Sequence, residues 1–272
     1  MRQPPKALSL IIALLILATA LTGCFGQDMP QIPDMPITIP TEFPLPNLEN
    51  LPGYLEDLRL PDLSQIPNLP GLEELPSLQA PENGVVFAGP SERRIEVGQP
   101  IPGTNIQLVA ISEAGAEFTI DGMRSVRRVG DSLDYDGNWP GIGGVVYNAR
   151  LRIYTVGDNS VRVAGVHRLV VENVDPVPDS PDLNRSAQFP FTTTVATGES
   201  IPGTTYRYIG SDERGAQIGG LPEGDYPYFK TGDSIVWQGH LRGDIPARFV
   251  VRVLFTTDNA MQVGGVVTLA LP

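Results

Sequence analysis

GQPIPGT, residues Gly98–Thr104, returns as GESIPGT, residues Gly198–Thr204. The shared frame is Gly-x-x-Ile-Pro-Gly-Thr, and four further blocks follow it in the same order. Gly115-Ala116 is matched by Gly215-Ala216, and Gly130-Asp131-Ser132 by Gly232-Asp233-Ser234. Asp158-Asn159 is matched by Asp258-Asn259, and Val163-x-Gly165-Val166 by Val263-x-Gly265-Val266. The offset is 100 at both ends and 102 in the middle, so small insertions cancel. An ordered series of this kind reads as a duplicated unit. The two copies cover residues 83–174 and 187–272, and a short polar linker, residues 175–186, joins them.

Each copy reads as all-β. Asn105–Ser112, Ser125–Val129, Val145–Thr155, Ser160–Val163 and Arg168–Asn173 are rich in β-branched residues and bounded by turn chemistry. Thr205–Ile209, Tyr226–Lys230, Ser234–Gln238, Arg248–Thr256, Ala260–Val263 and Val266–Leu271 answer them. Pro-Gly, Asp-Gly, Gly-Asp and Asp-Asn pairs punctuate these runs. Neither copy contains an amphipathic helical period. Six or seven short strands in about 90 residues suit a small β-sandwich or partly open barrel, so the sequence predicts two such domains in tandem.

Upstream of the copies the composition is different. Arg2 and Lys6 precede an uncharged, apolar run from Ala7 to Ala20. As a helix that run spans about 21 Å, short of a hydrocarbon core of about 30 Å, which fits a signal peptide better than a membrane span. Leu21-Thr22-Gly23-Cys24 follows directly, with small residues ahead of the cysteine. The segment resembles the lipobox of bacterial lipoprotein precursors. That resemblance implies cleavage after residue 23, lipidation of Cys24, and anchoring in the cell membrane or the outer membrane with the rest of the chain outside the cytoplasm. Cys24 is the single cysteine, so no disulfide forms within the chain. Its neighbours Gly23, Phe25 and Gly26 offer no base to activate a thiol.

Residues 24–82 read as a stalk. Twelve of the 27 prolines lie here, and ten acids against the single base Arg59 give the stretch a charge of −9 of the chain's −12. Proline removes backbone donors and disfavours helix at the preceding residue, so the expectation is a disordered, extended spacer of polyproline II character. The acidic balance excludes nucleic acid, whose phosphates need basic patches. It equally disfavours direct contact with an anionic lipid surface, leaving the acyl chains as the membrane contact.

No constellation points to catalysis. Asp131 and Asp233 each stand between a glycine and a serine, but neither copy offers a partner histidine or carboxylate. They read as turn residues accepting nearby backbone N–H groups. Asp134-Tyr135-Asp136-Gly137-Asn138 resembles a fragment of a calcium loop, yet the late bidentate glutamate is missing and Val236 and Gln238 occupy the matching places. His167 and His240 are non-equivalent and do not make a zinc set. Gly141-Ile142-Gly143-Gly144 opens no helix, so it lacks the amide cluster of a phosphate site. The expectation is a non-enzymatic protein with no metal and no cofactor.

The copies differ most in their aromatics. Tyr206, Tyr208, Tyr226, Tyr228, Phe229 and Trp237 crowd the second copy, where the first has Ile106 and Leu108 opposite Tyr206 and Tyr208. Sheet packing accounts for Tyr206 and Tyr208. Tyr226, Tyr228, Phe229 and Trp237 are the candidate surface for a glycan or protein ligand. The expected role is structural or ligand-binding at the cell surface. A rival reading rests on the cadence Gly-Thr, Gly-Ala, Gly-Asp-Ser and a late Gly-Val strand. It resembles the small β-domain of type IV pilus assembly lipoproteins, which also follow a Pro-rich stretch, and so implies an envelope assembly factor of a pilus or secretion machine. This chain departs from that pattern in its doubled domain and longer inter-strand segments.

Overall fold

The computed structural model describes residues 70–184, 186–257 and 259–272. The leader, Cys24 and the stalk as far as residue 69 lie outside the described residues. Among the described residues a 3-10 turn, Leu72–Glu74, precedes fifteen strands. Those of the first half are β1 (Val85–Glu96), β2 (Ile106–Ser112), β3 (Gly115–Ile120), β4 (Met123–Arg127), β5 (Ser132–Asn138), β6 (Val145–Val156) and β7 (Ser160–Val171). The second half has β8 (Val177–Pro178), β9 (Ser186–Ala196), β10 (Arg207–Asp212), β11 (Gly215–Gly219), β12 (Tyr228–Phe229), β13 (Ser234–Arg242), β14 (Ile245–Thr256) and β15 (Ala260–Ala270).

The strands form four antiparallel sheets. The first half has a large sheet, β1-β7-β6-β5, and a small one, β2-β3-β4. The second half has a large sheet, β9-β15-β14-β13-β8, and a small one, β10-β11-β12. None closes into a barrel, and each half is sandwich-like. Ile106, Leu108 and Phe118 of the first small sheet bury together with Leu133, Leu151 and Val163 of its large sheet. Tyr208 and Ile218 do the same with Ile235, Val251 and Val263. Burial alternates along β14, where Ile245, Ala247, Phe249, Val251 and Val253 face inward, as a half-solvated antiparallel sheet requires.

The Ile-Pro-Gly-Thr segments are tight turns held by a buried hydroxyl. Gly103 and Gly203 both have φ near +82°, a conformation that favours glycine. Thr104 Oγ1 donates to the carbonyl of Ile101 at 2.9 Å and accepts from the amide of Ile106 at 3.1 Å. Thr204 Oγ1 donates to the carbonyl of Ile201 at 3.0 Å and accepts from the amide of Tyr206 at 3.1 Å. Irregularities recur as well: the ladders shift register between Leu108 and Ala110 and between Tyr208 and Gly210, and again between Ile153 and Thr155 and between Val253 and Phe255.

Two expectations about strands need correction. β7 and β15 are continuous, whereas Gly165 and Gly265 suggested a break in each. Both glycines sit where a strand backbone lies close: a Cβ at Gly165 would run into the carbonyl oxygen of Arg150, and one at Gly265 into that of Val250. β1 and β9 are long strands that the sequence did not announce. Each carries a proline, Pro90 opposite Val166 and Pro190 opposite Val266. Both strands are sheet edges, where a missing N–H breaks no ladder.

The same two edges join the halves. Each half was expected to close its own core, but the buried residues form one continuous cluster. Phe87 of β1 packs against Phe189, Phe191 and Phe249 at centroid distances of 6.3, 5.7 and 6.0 Å. Gly89 permits the approach, since a Cβ there would come within 2.7 Å of Pro190 Cβ. Trp139 packs edge-on against Phe189 at 6.2 Å and donates its Nε1–H to the Pro272 carbonyl at 3.2 Å.

His167 lies in this joint. Its ring stacks on Phe189 at 5.3 Å, and its Nδ1 stands 3.3 Å from the Tyr147 hydroxyl and 3.4 Å from an Arg93 Nη. Its Nε2 is buried without a partner. Burial, reinforced by the Arg93 charge, pushes the imidazole down to about 3 from an ordinary 6.5. Between those values the unfolded chain binds a proton that the folded chain does not, so stability falls as pH drops through that window. At pH 5 the loss is about 2 kcal/mol. Urea unfolding at pH 7 and pH 5 reads it: His167→Leu should show a smaller pH 7-to-5 loss than the wild type by about that amount, and equal losses would disprove the assignment.

Candidate functional site

The acids singled out in the sequence are structural. Asp131 Oδ2 accepts the Arg128 amide at 2.8 Å, and Asp233 Oδ2 accepts the Lys230 amide at 2.7 Å. The backbone around them is equally matched: Ile153 N–H donates to the Asp131 carbonyl and Val253 N–H to that of Asp233, both at 3.0 Å. These side chains cap turns, as their sequence setting suggested.

Asp134 and Asp136 lie on the β5–β6 hairpin. They belong to β5 and pair across the sheet. Arg152 Nη1 lies 3.2 Å from Asp134, and Arg150 grips Asp136 with two Nη atoms at 3.1 and 3.0 Å. Asn148 Nδ2 adds a bond to Asp136 at 2.7 Å. Burial on its own would raise the Asp136 carboxyl, but the bonds from Arg150 and Asn148 outweigh it and hold the group below the usual carboxylate range. His240 faces Asp179 at 3.7 Å and is partly exposed, whereas His167 is buried. Among the described residues no group of three or more His, Cys, Asp and Glu side chains is placed to hold a metal ion.

The aromatic set divides. Trp237 was expected on a partner surface, but it is core: only 2% exposed, edge-on to Phe249 at 5.6 Å, with its Nε1–H donated to Thr205 Oγ1 at 3.1 Å. The strand alternation explains the correction, because Ile235 and Trp237 are buried along β13 while Val236 and Gln238 are exposed. Phe229 is half-buried and packs against the core. Tyr206 and Tyr208 are core as well, their hydroxyls donating to the carbonyls of Val236 at 3.1 Å and Thr257 at 3.3 Å.

Tyr226 and Tyr228 remain at the surface. Tyr226 is 66% exposed, and its ring lies 5.6 Å from that of Tyr228. β12 positions them: Tyr228 pairs with Gln217, and the Pro227 carbonyl accepts the Ile218 amide at 2.8 Å. Arg214, in the tight turn between β10 and β11, lays its guanidinium 3.7 Å from the Tyr228 ring centroid. Asp212 fixes that guanidinium through Nε at 3.1 Å and accepts the Arg214 amide at 2.8 Å. Those bonds, the side-chain one first, hold the Asp212 carboxyl below its ordinary value. The result is a cation–π stack on the half-buried Tyr228, beside the exposed Tyr226 phenol.

Sequence reading missed Arg214 and Asp212. The signal lay in the hairpin turn, where Ser112-Glu113-Ala114-Gly115 becomes Asp212-Glu213-Arg214-Gly215. At the place of Tyr228 the first half has Val126, paired with Glu117. Compared with protein-family models, curated proteins and solved structures, the chain matches none.

Proposed function

We propose that this protein is an exported lipoprotein, held at the cell membrane or outer membrane by lipid on Cys24, and that it is a non-enzymatic binding module built from a duplicated β-unit. The observation that carries the binding role is the Tyr226–Tyr228–Arg214 stack. The exposed Tyr226 phenol, the half-buried Tyr228 ring and a guanidinium paired with Asp212 give an amphipathic surface with donors at its edge, suited to a glycan or to a polar protein segment. The first half keeps the hairpins without these side chains, so the fold itself does not call for them. The leader and the cysteine after Leu21-Thr22-Gly23 support the anchor.

Two measurements test this reading. Cys24→Ser should abolish metabolic labelling with a fatty acid; a serine variant that still labels contradicts the anchor. Tyr226→Ala combined with Tyr228→Ala should weaken retention on immobilised glycans and peptides at least tenfold. Its melting temperature should stay within a degree or two, because surface truncations of this kind cost little stability. Unchanged retention would exclude the site.

A further inference from the structure

The outer face of the first large sheet carries a guanidinium without an anion. Arg168 on β7 is 9% exposed, and its one side-chain bond among the described residues runs from Nη1 to Asn148 Oδ1 at 3.0 Å. Its Nε is buried with no partner. The other arginines of this face are matched: Arg150 with Asp136, Arg152 with Asp134 and Arg162 with Glu92. Asp136 is already engaged by Arg150 and Asn148 through both of its oxygens. Burial also works against the charged form of Arg168.

Arg168 lines an open cavity of about 340 Å³, where residues of the segment before β1 lie against β6 and β7. Ser77 and Gln79 line it, together with Val146, Val170 and Glu172. Val146 and Val170 are direct partners in the ladder, as are Asn148 and Arg168, so the apolar pair lies one step from the polar pair. The second half has Thr268 at the place of Arg168 and Arg248 at the place of Asn148, so there the cation stands on the neighbouring strand.

We propose that this cavity is a binding site for a singly charged carboxylate, with Arg168 as the receptor. A buried guanidinium that lacks a counter-charge is costly, and a carboxylate can take up the Nη–H donors that Asn148 leaves free. The Val146–Val170 wall takes a short aliphatic body. Glu172 disfavours a doubly charged oxyanion such as phosphate. The volume is at the small end for ligand pockets and admits a short organic acid or the side-chain carboxylate of a peptide.

Titration of the full chain in detergent tests the site, with butyrate as the free acid, N-acetyl-glutamate amide as the peptide-borne carboxylate, and butyramide as the neutral isostere. At constant ionic strength one or both carboxylates should shift the Arg168 Nε–H resonance saturably, and butyramide should not. The acid that binds more tightly identifies the source. Arg168→Met should weaken binding at least tenfold, and Glu172→Gln, which leaves the receptor intact, should tighten it several-fold. No saturable shift with either carboxylate, an Arg168→Met protein that binds like the wild type, or a Glu172→Gln protein that binds no tighter overturns the proposal.

Discussion

The packing of Phe87 against Phe189, Phe191 and Phe249 is the contact on which the rest of the described structure depends. Neither half buries enough by itself to leave this face bare: Phe87 comes from one edge strand, Phe189 and Phe191 from the other, and all four rings are 2% exposed or less. Gly89 makes the contact geometrically feasible by leaving room for Pro190. The two prolines that mark the edges also prevent those edges from recruiting further strands. With no disulfide available, burial across this joint is the main source of cohesion between the halves.

Around that joint the halves share their turns and diverge on their outer faces. One row across the first large sheet reads Asp134–Arg150–Val166, and the corresponding row of the second reads Val236–Val250–Val266. The charged row contributes little to stability, since half-exposed ion pairs are worth a fraction of a kcal/mol to about 1 kcal/mol. What it does is decorate the free edge strand β5 with acids, which discourages edge-to-edge pairing. In the second half that duty falls to Val177–Pro178, which pairs with Gly239 and His240 and covers the edge of β13. The turns that the halves have in common are thus set by backbone geometry while side chains on the outer faces vary.

That division explains what could be read in advance. The all-β class, the Thr104 and Thr204 turns and the turn role of Asp131 and Asp233 follow from local chemistry, and local chemistry is what a sequence displays. β1 and β9 were invisible because their prolines look like breaks, and only their edge position makes them tolerable. β7 and β15 looked interrupted because Gly165 and Gly265 serve a close backbone approach, which is a tertiary fact. Trp237 was misplaced for a related reason: its neighbours Val236 and Gln238 are exposed, and an aromatic-rich stretch does not reveal which residues share a face until the strand register is known. Arg214 was legible only by laying one hairpin turn over the other. His167 carries no local mark of its burial, which depends on a phenylalanine from the other half.

The most direct test of this account is native-state hydrogen exchange on Phe87→Ala. Truncating a fully buried phenylalanine of this kind costs about 3–5 kcal/mol. If the two halves share one core, the most protected amides of β7 and of β15 lose protection together and by similar amounts, although the substitution lies in the first half alone. Loss confined to β7, with β15 as protected as in the wild type, would show that the halves are stable independently and contradict the account.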